Sequence, residues 1–249
     1  MKSFGLTDKG KVRKDNQDSF IIEKCDARDS LIVALCDGMG GAKAGGLASQ
    51  LSNKAFVSYI YAKLTSRVNR SPDYKQILQD ACNDANGVAF EYSQFDEAFN
   101  GMGTTIVGGV IKSNGSGYII NVGDSRAYHI SRRSGTIYQI TRDHSLVEDL
   151  VEYGAITKEQ ARNHPQKNVI TRALGSESTV EADYFEFTLH NGDVLLLCSD
   201  GLSNIVNDFE MLDYAREYND DPELLCRALM SKALNRGARD NVTVVAVVK

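Results

Sequence analysis

The chain of 249 residues has no tryptophan and only three prolines, and it contains no stretch rich in Pro, Gly and Ser that would read as a linker. One domain is therefore the expectation, spanning 1–249. No apolar run approaches the ~20 residues needed to cross a bilayer, and the N-terminal stretch MKSFGLTDKGKVRKDNQD lacks the apolar centre of a signal peptide. The five cysteines (Cys25, Cys36, Cys82, Cys198, Cys226) form no C-x-x-C pair, so neither a disulfide framework nor a zinc site is indicated. The four histidines, His129, His144, His164 and His190, have no ligand-pair spacing. No basic run stands out and the formal charge is −5, which argues against nucleic acid as a partner. Together these absences predict a cytoplasmic protein that binds neither membrane nor nucleic acid, and we expect a monomer.

What is present centres on two apolar runs. Leu31 to Cys36 (LIVALC) reads as a strand buried on both faces, and it delivers Asp37 and Gly38. Residues 194–198 (VLLLC) do the same and deliver Ser199, Asp200 and Gly201. A single Asp-Gly is most often just a turn dipeptide. Two of them, each at the tip of a buried strand, suggest strand ends converging on one site. Two bare carboxylates held together would repel, and one would have to keep a proton. A cation between them removes that cost.

Around these runs the chain reads as strands at 3–7, 18–23 and 29–36, then helices at about 42–67 and 73–94. Segments 104–111, 117–122, 126–130 and 136–140 follow with turn signals between them and read as an antiparallel meander. Residues 143–175 are polar and carry two short helical patterns, 146–153 and 158–162. That is too long for a plain connector, and we read it as an inserted flap, with a helical edge decoration as the other possibility. Strands at 180–189 and 193–199, helices at 208–218 and 222–235, and a β-branched strand at 242–248 complete the chain. The order predicts an α+β fold: a four-layer α-β-β-α sandwich of two antiparallel sheets, each covered by a helix pair.

Asp18, Asp37, Asp200 and Asp240 all fall at predicted strand ends, and Asp124 falls at a turn between strands. Oxygen donors without His or Cys select Mg²⁺ or Mn²⁺. A carboxylate cluster can hold two such ions about 4 Å apart and generate a hydroxide between them, suited to attack on a phosphate ester. Arg13, five residues before Asp18, is the candidate clamp for phosphate through its planar fork, or else a solvated surface residue flanked by Lys11 and Lys14. No Cys-x₅-Arg spacing exists, which argues against a covalent cysteine route.

These motifs, RKDNQD (13–18), CDGMGG (36–41), GMGTT (101–105), VGDSR (122–126), SDGL (199–202) and RDNVTVV (239–245), occur in the order of the metal-dependent, type-2C Ser/Thr protein phosphatases, and over nearly the whole chain the sequence resembles that family, in its bacterial, minimal form. The resemblance implies the following roles. Asp37 would bridge two metals with the Gly38 carbonyl as a further ligand, and Asp200 and Asp240 would complete one of them. Asp18 would reach metal directly or through water, Asp124 with Asp200 would hold a weaker third ion, and Arg13 would hold the substrate phosphate. The segment 143–175 would be the flap that helps choose the phosphoprotein, itself a substrate of a Ser/Thr kinase. Two departures stand out. Met39 replaces the histidine that many eukaryotic members carry after Asp-Gly, leaving His144 in the flap or a water as the proton donor. Asn204 stands where some members supply a second aspartate to the third metal. The predicted reaction is in-line attack of metal-bridging hydroxide on phosphoserine or phosphothreonine. A non-catalytic phosphoprotein-binding regulator and a small-molecule phosphomonoesterase are the alternatives.

Overall fold

The computed structural model describes residues 1–41, 44–66, 71–95, 97–218 and 220–249. The ends of the first predicted helix, at 42 and 67, lie outside the described residues. In chain order the elements begin β1 (Lys2–Asp8), β2 (Asp18–Cys25), β3 (Ser30–Met39), α1 (Ala44–Thr65) and α2 (Tyr74–Phe95). Then come β4 (Gly103–Thr104), β5 (Ile106–Lys112), β6 (Ser116–Val122), β7 (Arg126–Ser131) and β8 (Thr136–Gln139). The chain continues through α3 (Leu146–Glu152), α4 (Lys158–Arg162), β9 (Asp183–Thr188) and β10 (Val194–Cys198), and closes with α5 (Asp200–Ser203), α6 (Asp208–Glu217), α7 (Pro222–Asn235) and β11 (Val242–Val248). Among the described residues no helix is long and apolar enough to cross a membrane.

The strands form two antiparallel sheets, ordered β1-β11-β10-β7-β8 and β2-β3-β5-β6-β9, with β4 beside β3. The continuous apolar runs have a simple cause. In β3, Leu31, Val33 and Leu35 pack against Leu195, Leu197, Val245 and Val247 of the other sheet. Ile32, Ala34 and Cys36 point the opposite way, onto Phe56, Ile60 and Leu78 of α1 and α2. Strand β10 does the same: Leu195 and Leu197 face the other sheet, while Leu196 and Cys198 meet Leu225 and Leu229 of α7. Each central strand is covered twice, so period-2 alternation of polarity is absent.

The meander expected at 104–140 is a misreading. The chain leaves the second sheet after β6, crosses at Gly123–Ser125 and enters the first sheet as β7 beside β10. The free edge of β6 is taken by β9, from Ser116↔Thr188 to Asn121↔Asp183. Gly123 turns the corner at φ 103°, where a side chain would strike Thr105. Segment 104–111 is also interrupted, because Thr105 leaves the pairing between β4 and β5. The four-residue α5 has no periodicity to announce it. Segment 143–175 carries α3, capped by Ser145, and α4, closed by a Thr157–Gln160 capping box. It is tied down by the bridges Ser145↔Ile170 and Thr104↔Leu174.

Candidate active site

At one edge of the sandwich, where ends of both sheets meet, lies a cavity of about 320 Å³. Arg13, Asp37, Gly38, Asp124, Asp200 and Asp240 all line it, with Met39, Asn168 and Ile170 among the remaining walls. The contributors are distant in sequence: the β1–β2 loop (Arg13), the end of β3 (Asp37, Gly38), the β6–β7 crossover (Asp124), the start of α5 (Asp200) and the residue pair before β11 (Asp240). Asn168 and Ile170 bring the polar segment 143–175 against the same cavity.

The glycines after the two aspartates are required by close approach rather than by a turn. A Cβ on Gly38 would stand 2.0 Å from the Gly45 carbonyl oxygen, at the start of α1. A Cβ on Gly201 would stand 1.9 Å from the Asn241 carbonyl oxygen, which precedes β11. Each glycine thus lets a neighbouring element press against the strand end that carries the aspartate.

The main chain of Asp37 is held on both sides. Its N–H donates to Thr105 Oγ1 at 3.0 Å, and its carbonyl accepts from the Thr105 N–H and from Thr104 Oγ1, both at 2.9 Å. Thr105 is in turn 2.7 Å from the Ser125 hydroxyl in the crossover. Asp18 stands opposite Asp37 in the β2–β3 register but is buried behind the cavity wall. Its Oδ2 accepts from Ser199 Oγ at 2.8 Å and Thr243 Oγ1 at 2.6 Å, both from the other sheet. Its Oδ1 is buried without a hydrogen-bond partner. Arg13 donates to Asp240 at 2.8 Å, with about half of its side chain in solvent. Asn204 Nδ2 donates to the Asp200 carboxylate at 3.1 Å.

Electrostatically the cluster is under strain. Burial, then Asp18, Asp200, Asp124 and Asp240, raise the Asp37 carboxyl well above its usual range. Burial, then Asp124, Asp240 and Asp18, push Asp200 up to about 8. Asp124 is raised to about 6 by burial and Asp143, against the pull of Arg126. Asp18 is raised to about 6 by burial, against its two hydroxyl donors. Among the described residues no three Asp, Glu, His or Cys side chains already converge as a closed coordination group. The fit to metal rests on donor chemistry instead. Four aspartates around one cavity, an unpartnered buried carboxylate oxygen behind it, and a single half-exposed arginine at its rim leave a negative charge that hard divalent cations would answer.

His144 does not line the cavity. It is buried, accepts from the Gly123 N–H through Nδ1 at 3.2 Å, and directs Nε2 at Asp183 at 3.3 Å. Burial holds its pKa below the ordinary histidine value. Nδ1 thus ties the start of the 143–175 segment to the crossover and Nε2 ties it to the start of β9, so both ring nitrogens are already engaged.

Several residues that organise the site were given no role of their own in the sequence: Thr105, Ser199, Thr243 and Asn241. Asn241 is the busiest. Its Nδ2 donates to the carbonyls of Lys9 and Asp15, both at 3.0 Å, and its Oδ1 accepts from the Gln17 N–H at 2.9 Å. The loop carrying Arg13 is therefore braced by the neighbour of Asp240. The available signal was that each of these polar residues sits inside one of the motifs GMGTT, SDGL or RDNVTVV.

Over nearly its whole length the chain is similar to known proteins. A family model described as Protein phosphatase 2C matches residues 10–236. The serine/threonine phosphatase Stp of Listeria welshimeri is 38% identical over 242 residues, covering 97% of this chain and 93% of its own. The crystal structure of the Mycobacterium tuberculosis serine/threonine phosphatase PstP/Ppp superposes with a TM-score of 0.87 at 33% identity, covering 100% of this chain and 98% of its own. The catalytic domain of PstP in complex with two manganese ions gives a TM-score of 0.81 at 32% identity, covering 98% of this chain and 96% of its own.

Proposed function

The chain belongs to the protein phosphatase 2C family and is a serine/threonine protein phosphatase, a metal-dependent hydrolase; from that premise we propose how its own residues perform the reaction. In this reading Asp37, Asp200 and Asp240, with the Gly38 carbonyl, hold two Mn²⁺ or Mg²⁺ ions, and Asp18 supports them from behind. Asp124 with Asp200 offers a third, weaker position, weakened further because Asn204 donates to Asp200 instead of adding a carboxylate. When bound, the ions supply an acidified water for in-line attack and positive charge opposite the phosphoryl oxygens. Arg13 receives the phosphate. Its guanidinium stands at the rim, partly free, and is aimed by its bond to Asp240. Thr104 and Thr105 keep the Asp37 main chain from shifting as charge develops. With His144 turned away, the proton for the leaving serine or threonine oxygen comes from solvent at the mouth of the cavity.

The whole chain acts in this reading as one catalytic domain, with 143–175 as the flap over the substrate. Its substrates are proteins phosphorylated by a Ser/Thr kinase, and it works in the cytoplasm as a monomer. The observation that carries the proposal is the convergence of Asp37, Asp124, Asp200, Asp240 and Arg13 on one cavity. The test is hydrolysis of a phosphothreonine peptide with Mn²⁺ and with EDTA, beside an Asp37→Asn variant. We expect EDTA to abolish turnover and the variant to lose at least about 100-fold in kcat. Activity surviving EDTA, or an active variant, would overturn the assignment.

A further inference from the structure

The two segments that flank the cavity carry charge of the opposite sign to the rest of the chain. Residues 9–17 hold Lys9, Lys11, Arg13 and Lys14 against Asp15 alone, and residues 158–172 hold Lys158, Arg162, Lys167 and Arg172 against Glu159 alone. Each segment is thus +3 within a chain of formal charge −5, which leaves −11 for everything else. The fold brings both to one mouth: the first supplies Arg13 and Gln17 to the cavity wall, the second Asn168 and Ile170.

All eight cations are exposed. Two are occupied, Arg13 by Asp240 and Arg172 by Asp183. Among the described residues Lys9, Lys11, Lys14, Lys158, Arg162 and Lys167 have no ion-pair partner. Some exposed cations elsewhere are paired with carboxylates, as Lys24 is with Asp26, Arg227 with Glu223 and Arg236 with Glu210, while others, such as Lys54 and Arg133, have no ion pair among the described residues. A lone surface lysine means little. Here Lys11 and Lys14 stand within two residues of Arg13 on one side of the cavity, and Lys167 stands beside Asn168 on the other.

Resting on the phosphatase reading, we propose that these two sides select phosphorylated segments bearing further negative charge, a second phosphate or Asp/Glu, within a few residues of the phosphorylated side chain. The range is set by physics. An extended peptide advances about 3.3 Å per residue, and the screening length at physiological salt is about 8 Å. Charges two or three positions from the phosphosite therefore still feel the cations beside the cavity. An exposed pair is worth about 1.5- to 5-fold in affinity, so several acting together reach on the order of 10-fold, much of it in association rate.

The test uses phosphothreonine peptides of one sequence with neutral, glutamate, second-phosphate or lysine flanks, and reads kcat/KM at 0.05 and 0.5 M NaCl. The glutamate and second-phosphate arms distinguish the two sources of charge. We expect both to exceed the neutral peptide by about 10-fold at low salt, the lysine peptide to fall below it, and the spread to collapse at high salt. In the triple variant Lys11→Glu, Lys14→Glu, Lys167→Glu the order reverses, while turnover of 4-nitrophenyl phosphate, which is too small to reach these lysines, stays unchanged. Equal turnover of neutral and acidic peptides, or a preference that survives the triple variant, overturns the proposal. Loss of the phosphatase reading itself would look different: no peptide and no 4-nitrophenyl phosphate would be hydrolysed.

Discussion

At the scale of single residues, the site depends on amides and hydroxyls as much as on aspartates. Asn241 shows why. One buried side chain makes three hydrogen bonds to the backbone of the loop that carries Arg13, while its N–H donates to Asp240 Oδ1 at 2.9 Å. It therefore fixes the spacing between the phosphate clamp and a metal ligand. Asn241→Ala leaves two carbonyls and one N–H of that loop without their partner, at a cost of about 2–3 kcal/mol. We expect KM for a phosphothreonine peptide to rise several-fold in this variant and in Arg13→Ala, but no further in the double variant, because Asn241 acts through Arg13. A double-mutant cycle on KM decides it: additive effects would make Asn241 a general structural residue. The aspartates at strand tips were legible in the sequence because each follows or precedes an apolar run. Asn241, Ser199 and Thr243 were not, because their partners lie as far as 232 residues away, for example Lys9, and a polar residue beside a strand announces no direction.

At the scale of elements, the 143–175 segment is where the sequence reading and the structure meet most closely and then part. Its two short helices, α3 and α4, were legible as short helical patterns and carry good caps. Its attachment was not legible, because it depends on His144 bonding to the crossover at Gly123 and on the single bridge from Leu174 to Thr104. A histidine in a polar segment beside a phosphate site invites an acid–base role, yet burial and two committed nitrogens make His144 an anchor. The two roles predict different numbers. A general acid would cost about 10²- to 10⁴-fold in kcat on removal. We expect His144→Ala to lower kcat by less than about 10-fold, with the slope of the pH–rate profile retained. Hydrogen exchange should quicken at the Leu146 and Thr171 amides, which bond Val169 and His144 carbonyls in the native segment. A collapse of kcat with unchanged exchange would restore the catalytic role.

At the scale of the whole molecule, the layers follow from strands such as β3 and β10, whose unbroken apolar runs need cover on both faces. The same property hid the assignment of β7: Ala127 faces the inter-sheet layer while Tyr128 and Ile130 face the helices, and those faces would read alike in either sheet. The sandwich brings two sheet ends together and so forces carboxylates from both into one cavity, which gives the folded chain a pH dependence of definite sign. Asp18 and Asp124 are raised to about 6 and Asp200 to about 8, from an ordinary value of 3.8. Between those limits the folded chain binds more protons than the unfolded one, so their contribution is intact below about pH 4 and is lost as pH rises through 6 to 8. The EDTA-treated protein should accordingly melt roughly 5–10 °C lower at pH 8 than at pH 5. Mn²⁺ and protons compete for the same oxygens, so added Mn²⁺ should raise Tm more at pH 8, where the carboxylates are bare, than at pH 5. Thermal melts at the two pH values, with EDTA and with saturating Mn²⁺, give four midpoints. A Tm gain from Mn²⁺ that is equal at both, or larger at pH 5, would show that the ions do not bind the carboxylates whose repulsion the fold creates.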